Sequence, residues 1–223
     1  GTGIPTGLTF TALSTPPNKG DLSGTPTTAG TYTFAIKLVD TNNAEVTNNY
    51  TVVINPAIAL SPATLPNTTI NTAYSQTITT TGGTGAITFS IPTGALPTGL
   101  SLDSATGVIS GTPTLAETQS FTVRATDSVG AYTDKNYSIT INPAISISPA
   151  TLPNWTKNKA YSQTVSASDG TGAKTFSVSA GSLPTGLSID ANTGVISGTP
   201  SANNTFNFDI RATDTVGATA TKS

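Results

Sequence analysis

Leu96-Pro97-Thr98-Gly99-Leu100-Ser101-Leu102-Asp103-Ser104-Ala105-Thr106-Gly107-Val108-Ile109-Ser110-Gly111-Thr112-Pro113 returns 87 positions later. There it reads Leu183-Pro184-Thr185-Gly186-Leu187-Ser188-Ile189-Asp190-Ala191-Asn192-Thr193-Gly194-Val195-Ile196-Ser197-Gly198-Thr199-Pro200. The same step carries Gly24-Thr25-Pro26 to Gly111-Thr112-Pro113, and Asp40 to Asp127 to Asp214. It also carries Ile54-Asn55-Pro56-Ala57-Ile58 to Ile141-Asn142-Pro143-Ala144-Ile145. A fixed period over so many anchors means one folded unit copied in tandem. A unit of about 87 residues can bury its own core, with little margin.

Within the period, apolar residues alternate with polar ones. Phe121, Val123 and Ala125 are interleaved with Thr122, Arg124 and Thr126, and Tyr137, Ile139 and Ile141 with Ser138 and Thr140. Ile87, Phe89 and Ile91 alternate with Thr88 and Ser90. Period two predicts half-buried strands with one face on a core. Gly82-Gly83-Thr84-Gly85, Leu96-Pro97-Thr98-Gly99 and Ser128-Val129-Gly130 are the turns between them. No stretch carries a helical stripe. The expected fold is all-β, with about seven short strands per unit forming a two-sheet antiparallel sandwich.

By phase, residues 1–56 form a partial unit lacking its N-terminal strands, 57–143 a complete one, and 144–223 one lacking its last strand. Leu8 to Gly24 is five residues longer than Leu100 to Gly111, with Pro16-Pro17-Asn18-Lys19 in the excess. The chain reads as a piece of a longer repeat protein. Units abut at Pro56 and Pro143, and proline restricts both itself and the residue before it. A stiff rod is the expected product.

Charge is sparse, with 9% charged residues and a formal net charge of −2. That leaves no basic patch for nucleic acid, and no apolar run is long enough to enter a membrane. Cysteine, methionine and histidine are absent, which removes thiols, disulfides and imidazole ligands together. Abundant Thr and Ser with little charge fits secreted prokaryotic surface repeats.

The Leu-Pro-Thr-Gly-Leu to Ser-Gly-Thr-Pro run, together with Ala73-Tyr74-Ser75-Gln76-Thr77 and Arg124-Ala125-Thr126-Asp127, resembles the Putative Ig domain repeats of bacterial and archaeal surface proteins. These are relatives of dystroglycan-type cadherin-like domains. The resemblance covers essentially the whole chain. It implies tandem Ig-like sandwiches in extracellular adhesins, stalks or accessory regions of secreted enzymes.

Calcium, which cadherin-like repeats hold between domains, would draw on Asp127, Asp214, Asp103 and Asp190; the competing reading is that these aspartates cap turns. Trp155 and Tyr161 are candidate glycan contacts, against packing on a neighbouring domain. N-glycosylation sequons stand at Asn49, Asn67, Asn136, Asn154 and Asn203. Leu-Pro-Thr-Gly is one residue short of a sortase signal and reads as a turn. An isopeptide reading of Lys37 fails because Arg124 and Arg211 replace it, and Glu45 and Glu117 are not equivalent. Paired-carboxylate catalysis is not expected, since the acids recur with the fold, and no cofactor is expected apart from the calcium candidates. The chain is therefore expected to be a non-enzymatic structural and adhesive repeat region at the cell surface, a stalk or fibre segment. Its first partners would be further repeats of the same chain, with neighbouring subunits or surface glycans as others. The alternatives are glycan-binding accessory modules of a secreted polysaccharide-active enzyme, and a filament or sheath subunit assembled by strand pairing between chains.

Overall fold

A computed structural model describes residues 3–13 and 19–223; Pro16, Pro17 and Asn18 of the first-repeat insertion lie outside the described residues. Every regular element is a strand among the described residues, and no helix is long and apolar enough to cross a membrane. The first repeat carries β1 (Leu8–Leu13), β2 (Lys19–Gly24), β3 (Gly30–Val39) and β4 (Glu45–Ile54). The second carries β5 (Ala59–Ser61), β6 (Thr68–Thr69), β7 (Tyr74–Thr77), β8 (Thr79–Thr81), β9 (Thr88–Gly94), β10 (Leu100–Leu102), β11 (Val108–Gly111), β12 (Thr118–Thr126) and β13 (Tyr132–Asn142). The third carries β14 (Ser146–Ser148), β15 (Tyr161–Thr164), β16 (Ser166–Ser168), β17 (Thr175–Gly181), β18 (Leu187–Ile189), β19 (Val195–Gly198), β20 (Phe208–Thr213) and β21 (Thr219–Lys222).

The chain gathers into two compact units. One comprises Gly1–Leu60, Thr79–Thr88 and Ala125–Thr133; the other comprises Ser61–Ile78, Phe89–Arg124 and Asp134–Ser223. In the first unit β1 and β2 form one antiparallel hairpin, Leu8↔Gly24 to Leu13↔Lys19. β3 and β4 form another, Gly30↔Ile54 to Val39↔Glu45, with Phe34 stacked on Tyr50 at 6.0 Å.

In the second unit the hallmark run folds as β10 and β11, which pair with each other and, through β11, with β7. One period later β18, β19 and β15 repeat this arrangement. The other sheet runs β6-β13-β12-β9 in the second repeat, and β17-β20-β21 in the third. β6 is parallel to the end of β13, Ile141↔Thr68 and Asn142↔Thr69. The alternation lands as expected: Phe121, Val123, Tyr137, Ile139 and Ile141 are buried, while Ser138 is exposed. In the third repeat Ile145, Val165, Phe176, Ile196, Ile210 and Ala212 form the core. Burial of such side chains stabilises by roughly 25 cal/mol per Å² removed from water.

Two details differ from the sequence reading. Leu100, expected from the sequence to be buried with Phe121, Val123 and Ile139, is only half-buried, because β10 is the outer strand of its three-stranded sheet. The second repeat has nine strands rather than about seven. The excess comes partly from Ile78, which separates β7 from β8. Its side chain is fully buried and its N–H donates 2.9 Å to the Gly107 carbonyl. Gly107 has φ 72°, and a Cβ there would collide with the Ile78 carbonyl oxygen, so the close approach requires glycine.

Candidate functional site

The recurring aspartate organises a hairpin and then a loop. In each repeat its Oδ1 accepts two backbone N–H groups from the turn that follows. For Asp40 these are Asn42 and Ala44, for Asp127 Val129 and Ala131, and for Asp214 Val216 and Ala218, all at 2.8–3.0 Å. In the second and third repeats Oδ2 takes the N–H of a threonine from the glycine-rich loop, Thr84 at 2.9 Å for Asp127 and Thr171 at 2.8 Å for Asp214. Both aspartates are buried.

That loop is where one repeat meets the next. The Gly83 N–H donates to the Pro56 carbonyl at 2.8 Å, and the Gly170 N–H to Pro143 at 3.0 Å. The amide of Asn55, at the end of β4 plus one residue, donates to Thr84 Oγ1 at 3.0 Å; Asn142, ending β13, donates to Thr171 Oγ1 at 2.9 Å. Gly170 has φ 62°, and a Cβ would stand 2.8 Å from Ile145 Cγ1 and 2.9 Å from Asp214 Oδ2. Glycine is what lets the loop close onto the carboxylate.

At the 142–143 boundary a further residue enters. Thr69, buried on β6 of the second repeat, contacts Asp214 Oδ2 at 2.6 Å and Thr171 Oγ1 at 2.8 Å. Burial pushes the Asp214 carboxyl up, but the donors Thr171, Thr69, Ala218 and Val216 together hold it below the ordinary 3.8. The structure thus brings Asp214 together with Asn142, Thr171 and Thr69, which sequence reasoning did not single out. The available signal was recurrence: Asn55/Asn142, Thr84/Thr171 and Thr69/Thr156 each keep the 87-residue step.

The other candidates lie apart. Asp103 Oδ1 accepts the N–H groups of Ala105 and Thr106, and Asp190 Oδ1 those of Asn192 and Thr193, each at 2.8–2.9 Å. The Thr106 and Thr193 N–H groups hold these exposed carboxyls below their usual range. Trp155 is half-buried against Tyr161, edge-on at 6.3 Å, and Phe206 at 6.0 Å. The Tyr161 hydroxyl donates to the Pro153 carbonyl, as Tyr74 does to Pro66. Trp155 borders a groove of about 730 Å³ with Leu152, Phe206 and Ile210. In the second repeat Tyr137, Thr140 and Ile141 contact Pro62, Asn67 and Thr68, the equivalents of Pro149, Asn154 and Trp155 along that groove. Asn49, Asn67, Asn136, Asn154 and Asn203 are all exposed; the Asn67 and Asn136 side-chain oxygens accept from the Thr140 N–H and the Thr122 hydroxyl. Lys37 pairs with Glu45, and Arg124 with Asp134 at 2.8 Å, across hairpin strands.

"Serine-rich adhesin for platelets" of Staphylococcus aureus is 34% identical over 197 residues, 85% of this chain; the chain spans only 8% of that protein's length. The form from strain MRSA252 shows the same identity, with 14% of its length spanned. Among solved structures, the human desmocollin-1 ectodomain aligns over 85% of this chain and 46% of its own, at 13% identity and TM-score 0.40. The Putative Ig domain model matches residues 1–55, 56–142 and 143–223 in succession. Matched along its entire length in three consecutive copies, the chain belongs to the Putative Ig domain family.

Proposed function

We propose that this chain is a spacer segment of a bacterial cell-surface adhesin, in which Ig-like repeats joined end to end hold a distal binding region away from the cell. The observation that carries the reading is the recurrence of the Asn–Thr–Asp boundary contacts at Asn55–Thr84–Asp127 and Asn142–Thr171–Asp214. Such residues join a repeat to its neighbour through hydrogen bonds that the side chains satisfy among themselves. The 34% identity to a serine-rich adhesin for platelets supports an extracellular location and a non-enzymatic role. The first partner of each repeat is the next repeat of the same chain.

The test is to delete one repeat, residues 56–142, from the parent protein displayed on cells. A spacer predicts weaker adhesion under flow while the purified distal region binds its ligand unchanged. If purified 1–223 alone bound the ligand as tightly as the parent, the spacer reading would fail.

A further inference from the structure

The hydrogens at the 142–143 boundary can run in only one direction. A carboxylate only accepts, so the Thr69 hydroxyl hydrogen lies on the 2.6 Å contact to Asp214 Oδ2. In the 2.8 Å contact between Thr69 and Thr171, Thr69 is then the acceptor and Thr171 the donor. Thr171 has used its hydrogen, so its oxygen accepts, and Asn142 must present its NH₂ to it at 2.9 Å. The series Asn142 to Thr171 to Thr69 to Asp214 passes from the second repeat to the third, back, and across again. Three bonds in line, polarised toward one negative charge in a buried setting, reinforce one another. The last is short, as an O–H on a carboxylate should be.

Cadherin-like relatives suggest calcium at such boundaries, and the donor set here does not fit it. Calcium asks for six to eight oxygens, several of them anionic. Asp214 Oδ1 faces the N–H groups of Val216 and Ala218, and Oδ2 faces the Thr171 N–H and the Thr69 hydroxyl. Each lone-pair direction of the carboxylate meets a hydrogen. Asn142 turns its NH₂ inward, not its oxygen. A cleft of about 370 Å³ beside Thr69 is lined by residues 69–73, 144–145 and 217–219, none of which is acidic.

We propose that Asn142, Thr171, Thr69 and Asp214 form a metal-free, head-to-tail catch, in which the Asp-bearing end of one repeat takes as its partner the Asn- and Thr-bearing end of the repeat before it. Both halves are built into the repeat. Asn55 meets Thr84 beside Asp127 in the same way, and Thr156 stands in the third repeat where Thr69 stands in the second. The catch fixes how adjacent repeats are set, with hydroxyl and amide groups doing what a cation would otherwise do. It does not depend on the spacer role.

The chain has no cysteine, so two spin labels can be placed cleanly. Ser101→Cys on β10 and Ser188→Cys on β18 are exposed and equivalent in the two repeats. Distance distributions between them by pulsed electron–electron resonance should be narrow, and the same in millimolar calcium and in chelator. Thr69→Val keeps the shape of the side chain and removes the hydroxyl; Asn142→Ala removes the first donor and leaves β6 untouched. Each should raise the undocked population by about an order of magnitude, seen as a broadened distribution. If Thr69→Val misfolds, Asn142→Ala decides alone. Narrow distributions in the folded variants, or a wild-type distribution that narrows only on adding calcium, would overturn the catch.

Discussion

The two boundaries, at Asn55–Pro56 and at Asn142–Pro143, are built from the same residues but finished differently. Both bring an asparagine amide to a loop threonine and that threonine's N–H to a buried aspartate. At the second boundary Thr69 closes the series onto Asp214, so the carboxylate takes four donors. Asp127 takes three among the described residues, and the Thr84 hydroxyl ends the series without reaching it. The position equivalent to Thr69 in the first repeat would be −18, outside the 223-residue sequence. At the second boundary the series is completed by β6 of the preceding repeat, not by the linker.

The largest difference between the two should appear on removing the carboxylate. Asp214→Ala leaves the N–H groups of the half-buried Thr171, Val216 and Ala218 without their carboxylate acceptor and is expected to cost about 3 kcal/mol. Asp127→Ala should cost less. Hydrogen exchange of residues 125–133 and 212–220 in the two variants measures this. Equal loosening of the two hairpins would mean that Thr69 adds nothing.

Thr69→Val comes next. A hydrogen bond to a charged group contributes about 1.5–3 kcal/mol. Trp155 is the only tryptophan and lies in the third repeat, so urea unfolding followed by its fluorescence reads the loss there. An unshifted midpoint would detach Thr69 from the stability of the third repeat.

Asn142→Ala should cost about 1 kcal/mol, the scale of a neutral hydrogen bond. Asn55→Ala should cost less, because its threonine acceptor does not hand on to a charge. The reverse order in paired urea titrations would contradict the directional series.

Acid should produce the smallest effect. Asp214 is held below the ordinary 3.8 in the folded chain. Its contribution is therefore fully present above about pH 3.8 and is lost as pH falls through the lower folded value. Asp103, Glu117, Asp134 and Asp190 are also held low, so global unfolding would mix their titrations. The distance between labels at residues 101 and 188 isolates the boundary. Broadening already at pH 5 would show that something other than Asp214 is titrating.

The sheets were legible in the sequence because alternation survives folding unchanged. Phe121, Val123, Tyr137, Ile139 and Ile141 point where period two sends them. Leu100 was less legible, since its β10 edge position is set by strand order and not by local pattern. The break at Ile78 was hidden for a similar reason: a residue in an apolar position gives up its strand partner to bond the Gly107 carbonyl. At the boundary, the recurrence of Asp127 and Asp214 was visible, but their partners were not. Thr69 and Thr171 are two hydroxyls in a threonine-rich chain, and nothing local distinguishes them from exposed ones. Only folding brings positions 69, 142, 171 and 214 to one place.

The most direct test of the catch is the set of residual dipolar couplings of the full chain, measured in chelator. Amide couplings from 57–142 and from 144–223 should fit a single alignment tensor, and calcium should leave it unchanged. Two tensors of different magnitude in chelator, merging into one when calcium is added, would contradict a boundary held by protein donors alone.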